Sequence, residues 1–152
     1  MTNNQKEKVK QYLMRCKKLD AEINALILEE YRLRCLATKT CNGNLNGMPH
    51  SMNGKSEAGF CKVVEKLITI NRLIEQKQDQ YYDAKVSINA AINKLDNPVL
   101  RKVLRLRYLS KKELTWAQIG AYINKSATMV RCNLHEKALK KITQYLVLPI
   151  DR

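Results

Sequence analysis

Glycine and proline are scarce in this chain, five and three among 152 residues, which leaves little material for the tight turns of a many-stranded sheet. Runs of β-branched residues are also few, and no stretch alternates apolar and polar residues as a half-buried strand does. No apolar run approaches the ~20 residues needed to cross a bilayer. The first ten residues, MTNNQKEKVK, are polar and basic, so no secretory signal is expected and the protein is expected in the cytoplasm. Acid is the rarer charge, 14 Asp and Glu against 28 Lys and Arg, a net charge of +14. Catalytic signatures are missing too: there is no phosphate-binding glycine loop, no G-x-S-x-G and no H-E-x-x-H, so no enzyme is expected. The five cysteines form no C-x-x-C pair. Cys35, Cys41, His50 and Cys61 are the one combination that a fold around the loop can draw together on a metal. Reduced thiols with no metal and no cofactor are the expectation.

What remains is helical periodicity. From Val9, compatible residues recur at steps of three and four: Val9, Tyr12, Cys16, Leu19, Ile23, Leu26, Glu30, Leu33 and Ala37. A second series runs Phe60, Val64, Leu67, Asn71, Ile74, Gln78, Tyr81, Lys85, Ile88, Ile92 and Leu95. Both read as heptad seams, and neither helix is stable in water without a partner. Between them Thr40 to Glu57 is rich in Asn, Gly and Ser, a loop at the tip of a hairpin. Asn71, Gln78 and Lys85 share one heptad position, so that edge is expected to be only partly buried. Apolar residues off the seams (Leu13, Ile27, Leu28, Tyr31 and Leu36; Val63, Ile70, Leu73 and Tyr82) widen the stripe beyond one helix pair, and a homo-oligomer, with a dimer favoured, is expected to cover them.

The second half reads differently. Asp96 or Asn97 can cap a helix with Pro98 in its first turn, and Leu100, Val103, Leu104 and Tyr108 follow helical spacing. Thr115 with Gln118 forms a capping box for a short helix whose inward face is Ile119 and Ile123. Gly120 leaves room for a second helix to cross closely, and Asn124 tolerates the left-handed conformation that stops the first. Ser126 then caps a longer helix with an apolar side of Val130, Leu134, Ala138 and Ile142. Two helices joined by a short turn, the second polar and basic, form the helix-turn-helix that enters a DNA major groove. Charge agrees: residues 94–141 hold 12 Lys and Arg against three acids, and residues 1–93 hold 15 against 10. Solvated helix surfaces are the competing account of those lysines, but they cluster on the segment that carries the motif.

The run LDNPVLRKVLRLRYLSKKELTWAQIGAYINKSATMVRCNLHEKAL resembles region four of bacterial sigma factors. It resembles still more the C-terminal domain of phage late-gene transcriptional activators of the RinA-like and ArpU-like kind. Leu106-Arg107-Tyr108, Trp116 with Ile119, Ser126, Leu134-His135 and Ala138-Leu139 carry the likeness. The polar loop with Met48-Pro49 between two long helices extends it to the first half. One departure stands out: the usual apolar residue three after Val130 is replaced by Asn133, and Leu134 comes one step later. The resemblance implies an all-α protein with a hairpin over 1–93, its loop near 41–57, and a sigma-like helix-turn-helix domain over 94–147. It implies a regulator that binds double-stranded DNA and acts with RNA polymerase.

In the sigma-like register Ala127, Thr128, Arg131 and Cys132 occupy base-facing positions, and Arg131 is the leading reader because Arg to guanine is the commonest specific contact. Thr115, Lys125 and Ser126 lie at helix N-termini, where phosphates bind. Arg101, Arg105, Lys111 and Lys112 extend a phosphate track. His135 lies further along the recognition helix, counted with the DNA-binding set, beside core positions and not read as catalytic. Trp116 is expected to anchor the small core rather than stack on a base. Two other functions share these features: a small-terminase-like DNA-packaging component, whose DNA-binding domain is usually N-terminal, and a sigma mimic that docks on polymerase without touching DNA.

Overall fold

The computed structural model describes residues 3–41 and 55–146, with side chains over 4–38 and 59–146. It is all-helical, with no strand among the described residues. Two 39-residue helices come first, α1 (Asn3–Cys41) and α2 (Lys55–Asn93). Then follow α3 (Pro98–Leu104) with a π turn (Arg105–Leu109), α4 (Trp116–Ile123), α5 (Ala127–Met129), a second π turn (Val130–Leu134) and α6 (His135–Ile142). No helix among the described residues is long and apolar enough to cross a membrane. The loop expected near 41–57 falls largely outside the described residues, as do the side chains of Cys41 and His50. Among the described residues no cluster of metal-ligating side chains occurs, and Cys16, Cys35, Cys61 and Cys132 are free thiols.

Packing divides the chain elsewhere than between residues 93 and 94. One compact unit comprises 1–18 together with 81–152, and the other comprises 19–80. The start of α1 thus belongs with the end of α2, so the two helices run antiparallel within each unit. In the 19–80 unit Ile23, Leu33 and Ile74 are buried, and the Lys77 ammonium meets the Glu22 carboxylate at 2.6 Å.

Every seam residue assigned to α1 is buried or half-buried. On α2 part of the assignment needs correcting. Phe60, Asn71, Gln78 and Lys85 are exposed, whereas Ile70, Lys77 and Ala84, one residue before each of the last three, are shielded. The shielded line runs Val63 with Val64, Leu67, Ile70, Ile74, Lys77, Tyr81, Ala84, Ile88, Ala91 with Ile92, and Leu95. Burial of Ile70 and Ala84 removes less hydration than burial of Asn71, Gln78 and Lys85, and half-buried Lys77 keeps its charge by reaching Glu22.

In the other unit, α1 supplies Val9, Leu13 and Cys16 to a core shared with Ala84, Ile88, Ile92 and Leu95 of the α2 end, Leu100 and Leu104 of α3, and Leu139 and Ile142 of α6. Fully burying one such aliphatic side chain contributes about 1.5–3 kcal/mol. A second cluster of Val103, Ile119 and Val130 is packed about by Leu106, Leu114, Trp116, Ile123 and Leu134, and it fixes α3, α4 and the second π turn to one another.

Candidate nucleic-acid interface

The helix-turn-helix forms as its residues dictate. Asn97, rather than Asp96, caps α3, its side chain accepting from Val99 N at 2.9 Å. Thr115 Oγ1 accepts from Gln118 N at 3.3 Å while Thr115 N donates back to Gln118 Oε1 at 2.9 Å, completing the capping box of α4. Asn124 ends α4 with φ 55° and ψ 47°, the left-handed conformation. Ser126 Oγ then accepts from Met129 N at 3.3 Å and starts α5. A Cβ on Gly120 would stand 2.4 Å from the Lys125 carbonyl oxygen, so the turn closes directly over this glycine.

The Asn133–Leu134 departure has its physical reason in the second π turn, which takes up one extra residue. At about 100° per residue, an unbroken α-helix would leave Ala138, Leu139 and Ile142 roughly a quarter turn or more away from Val130. The surplus residue rotates them back, and Val130, His135, Ala138, Leu139 and Ile142 are all buried. Helix α6 is therefore set by the core, and the facing of the front of the recognition helix follows from Val130.

Thr128, Arg131 and Cys132 are exposed on that helix, as are Lys125 and Ser126 at the turn and Thr115 at the head of α4. Ala127 is half-buried beneath them. Lys111 and Lys112 are exposed before α4, and Arg101 is half-buried on α3. Arg105 is exposed and is held by the Asn93 side chain. Lys102, not singled out from the sequence, donates to the Tyr122 carbonyl at 2.9 Å, bracing the end of α4.

His135 is a correction. Only 6 % of it is exposed, and it shares a 2.8 Å hydrogen bond with the Tyr108 hydroxyl. The Trp116 ring meets it edge-on at a centroid distance of 4.9 Å. A residue so enclosed packs with Tyr108 at the floor of a groove rather than standing out from the helix. Burial, helped by nearby Lys10, lowers its pKa to about 4, so the ring is neutral at pH 7. Burial likewise pushes the Tyr108 hydroxyl up to about 12. Trp116 sits half-buried against the second core cluster, with the Arg107 guanidinium 4.6 Å from its ring centroid and donating to the Leu114 carbonyl at 3.0 Å. It is an anchor.

The start of α1 is the part of the site that sequence reasoning missed. It lies beside the recognition helix, where Lys6 meets Glu136 at 2.6 Å, and beside the segment before α4, where Lys17 reaches Glu113 at 3.7 Å. The Lys6 hydrogen bond holds the Glu136 carboxyl below its ordinary range. A groove of about 580 Å³ runs between them, with Lys10, Met14 and Lys18 on the α1 side and Arg107 and Arg131 opposite. Arg131 thus occupies the flank of the recognition helix nearest α1, joined there by Lys10, Lys18 and Arg107. The signal was present in the sequence: residues 1–18 hold six Lys and Arg against one acid, diluted when averaged over 1–93.

Charge follows the same division. Residues 19–80 hold eight Lys and Arg and eight Asp and Glu, so the whole net charge of +14 resides in 1–18 and 81–152. No family model, no curated protein and no solved structure matches the chain.

Proposed function

We propose that this protein is a sequence-specific DNA-binding transcriptional regulator, of the phage late-activator type, that works in the bacterial cytoplasm with RNA polymerase. Its role is positioning rather than chemistry. The observation that carries the reading is a fully capped helix-turn-helix, with Thr128, Arg131 and Cys132 exposed on its second helix, inside the one unit that holds all the net positive charge. Such a concentration of charge raises the rate of encounter with a polyanion and strengthens binding through counterion release. In this reading Ser126 and Lys125 hold phosphates at the head of the recognition helix, Thr128 and Arg131 meet base edges, and Lys111, Lys112 and Arg101 grip the flanking backbone.

The test is fluorescence anisotropy on duplex DNA selected from a random pool, at two salt concentrations. Arg131→Ala is expected to cost about 1–3 kcal/mol on the selected site and to relax discrimination at one base position, whereas Lys125→Ala weakens all sequences alike. Absence of duplex binding at low salt, together with a stable complex with RNA polymerase, would replace this reading with that of a sigma mimic.

A further inference from the structure

The 19–80 unit buries little of its apolar surface. Ile27 is 44 % exposed, Leu28 51 %, Tyr31 65 %, Phe60 37 % and Ile68 48 %, with Val64 half-buried among them. Leu36 at 51 % and Leu73 at 40 % stand apart, each just before a seam residue, but the others are not scattered. On α1, Ile27 and Tyr31 each directly follow a seam residue, Leu26 and Glu30, and Leu28 adjoins them. On α2, Val64 and Ile68 directly follow Val63 and Leu67, and Phe60 continues the line one turn earlier. In an antiparallel pair the position just after a seam residue lies on the same flank for both helices, because the rotation from each seam has the same sense and the chains run in opposite directions. Counting from the Glu22–Lys77 pair brings Tyr31 near the level of Ile68. The two lines are therefore one continuous face.

We infer that this face is the dimer interface, and that it is covered by the same face of a second copy of the chain to make a four-helix bundle. Two observations choose this occupant. The six side chains offer on the order of 500 Å² of apolar area per copy, in the upper part of the roughly 300–600 Å² of the largest patch on a typical monomer, a size that is often functional. Doubled and given a polar rim, that area reaches the roughly 1,200–2,000 Å² of a specific interface. The second observation is charge. Residues 19–80 balance eight cations against eight acids, so two copies meet without net repulsion, and neither a nucleic acid nor a strongly charged protein is drawn to this unit. The interface also keeps the +14 of each copy in the other unit.

Sedimentation equilibrium of the full-length chain tests this without any DNA, so its outcome is independent of the proposed regulatory role. The expected mass is twice 17.6 kDa at micromolar concentration. Tyr31→Glu with Ile68→Glu should weaken association at least 100-fold, while Ala25→Glu, an exposed position on α1 off this face, leaves it unchanged. Ile68→Ser, a milder change, should weaken it about tenfold, and circular dichroism should show helix content retained in each variant. A wild-type monomer at 100 µM, an assembly larger than two, or a dimer indifferent to these substitutions on the face overturns the inference.

Discussion

At the scale of the residue, His135 carries a measurable consequence. Its pKa is lowered to about 4 by burial, with Lys10 adding to the effect, against about 6.5 in an unfolded chain. The unfolded chain therefore takes up a proton that the folded one refuses, and the native state loses stability as pH falls from about 6.5 towards 4. Between pH 7 and 5, above the carboxylate range, the loss should be about 2 kcal/mol in urea unfolding. His135→Gln should flatten that slope, whatever its effect at pH 7; an unchanged slope would show that other groups carry it. The sequence did not reveal this burial. His135 is polar at the edge of the apolar stripe, and only the partner, Tyr108, 27 positions earlier in the chain, makes its enclosure tolerable.

At the scale of the element, the capped helices were legible because caps are local. Thr115, Asn124 and Ser126 act within three or four residues of themselves, and the structure places each in the conformation its chemistry prefers. The α2 seam was less legible, since both assignments share Leu67, Ile74, Tyr81 and Ile88 and differ only in which adjacent edge turns inward. Tertiary contacts made that choice. The second π turn was visible only as a misplaced Asn133, and it carries a prediction. Deleting Asn133 returns the helix to plain α spacing with α6 still facing the core, so the variant should fold with stability equal to or about 1 kcal/mol above the parent. Inserting an alanine after Asn133 adds a second surplus residue, rotates Leu139 and Ile142 away from the core and should cost several kcal/mol. Urea unfolding of the deletion and the insertion separates the accounts, and equal loss in both would remove the π turn from the explanation.

At the scale of the whole molecule, the charge division is the organising fact. It was only half visible in the sequence, because a boundary at residue 93 assigned the cations of residues 1–18 to the hairpin. The packing of α1 beside the recognition helix returns them to the basic unit. Lys10→Ala with Lys18→Ala should therefore weaken duplex binding and reduce the slope of log affinity against log salt by up to about 2, roughly one per lost phosphate contact. Charge-neutralising changes in exposed residues of 19–80, such as Arg72→Gln, should leave both unchanged. Anisotropy titrations across a salt series would read this, and an identical slope in the Lys10 and Lys18 variant would exclude α1 from the DNA track.

The π turn of the recognition helix has a historical consequence. A surplus residue held in mid-helix behaves as an insertion that the fold has already absorbed. The rear of the helix is clamped by Ala138, Leu139 and Ile142, while the front holds Thr128, Arg131 and Cys132 in the open. Loss of a single codon at this place therefore returns the helix to plain α spacing, and both the exposed front, set by Val130, and the buried rear keep their facing.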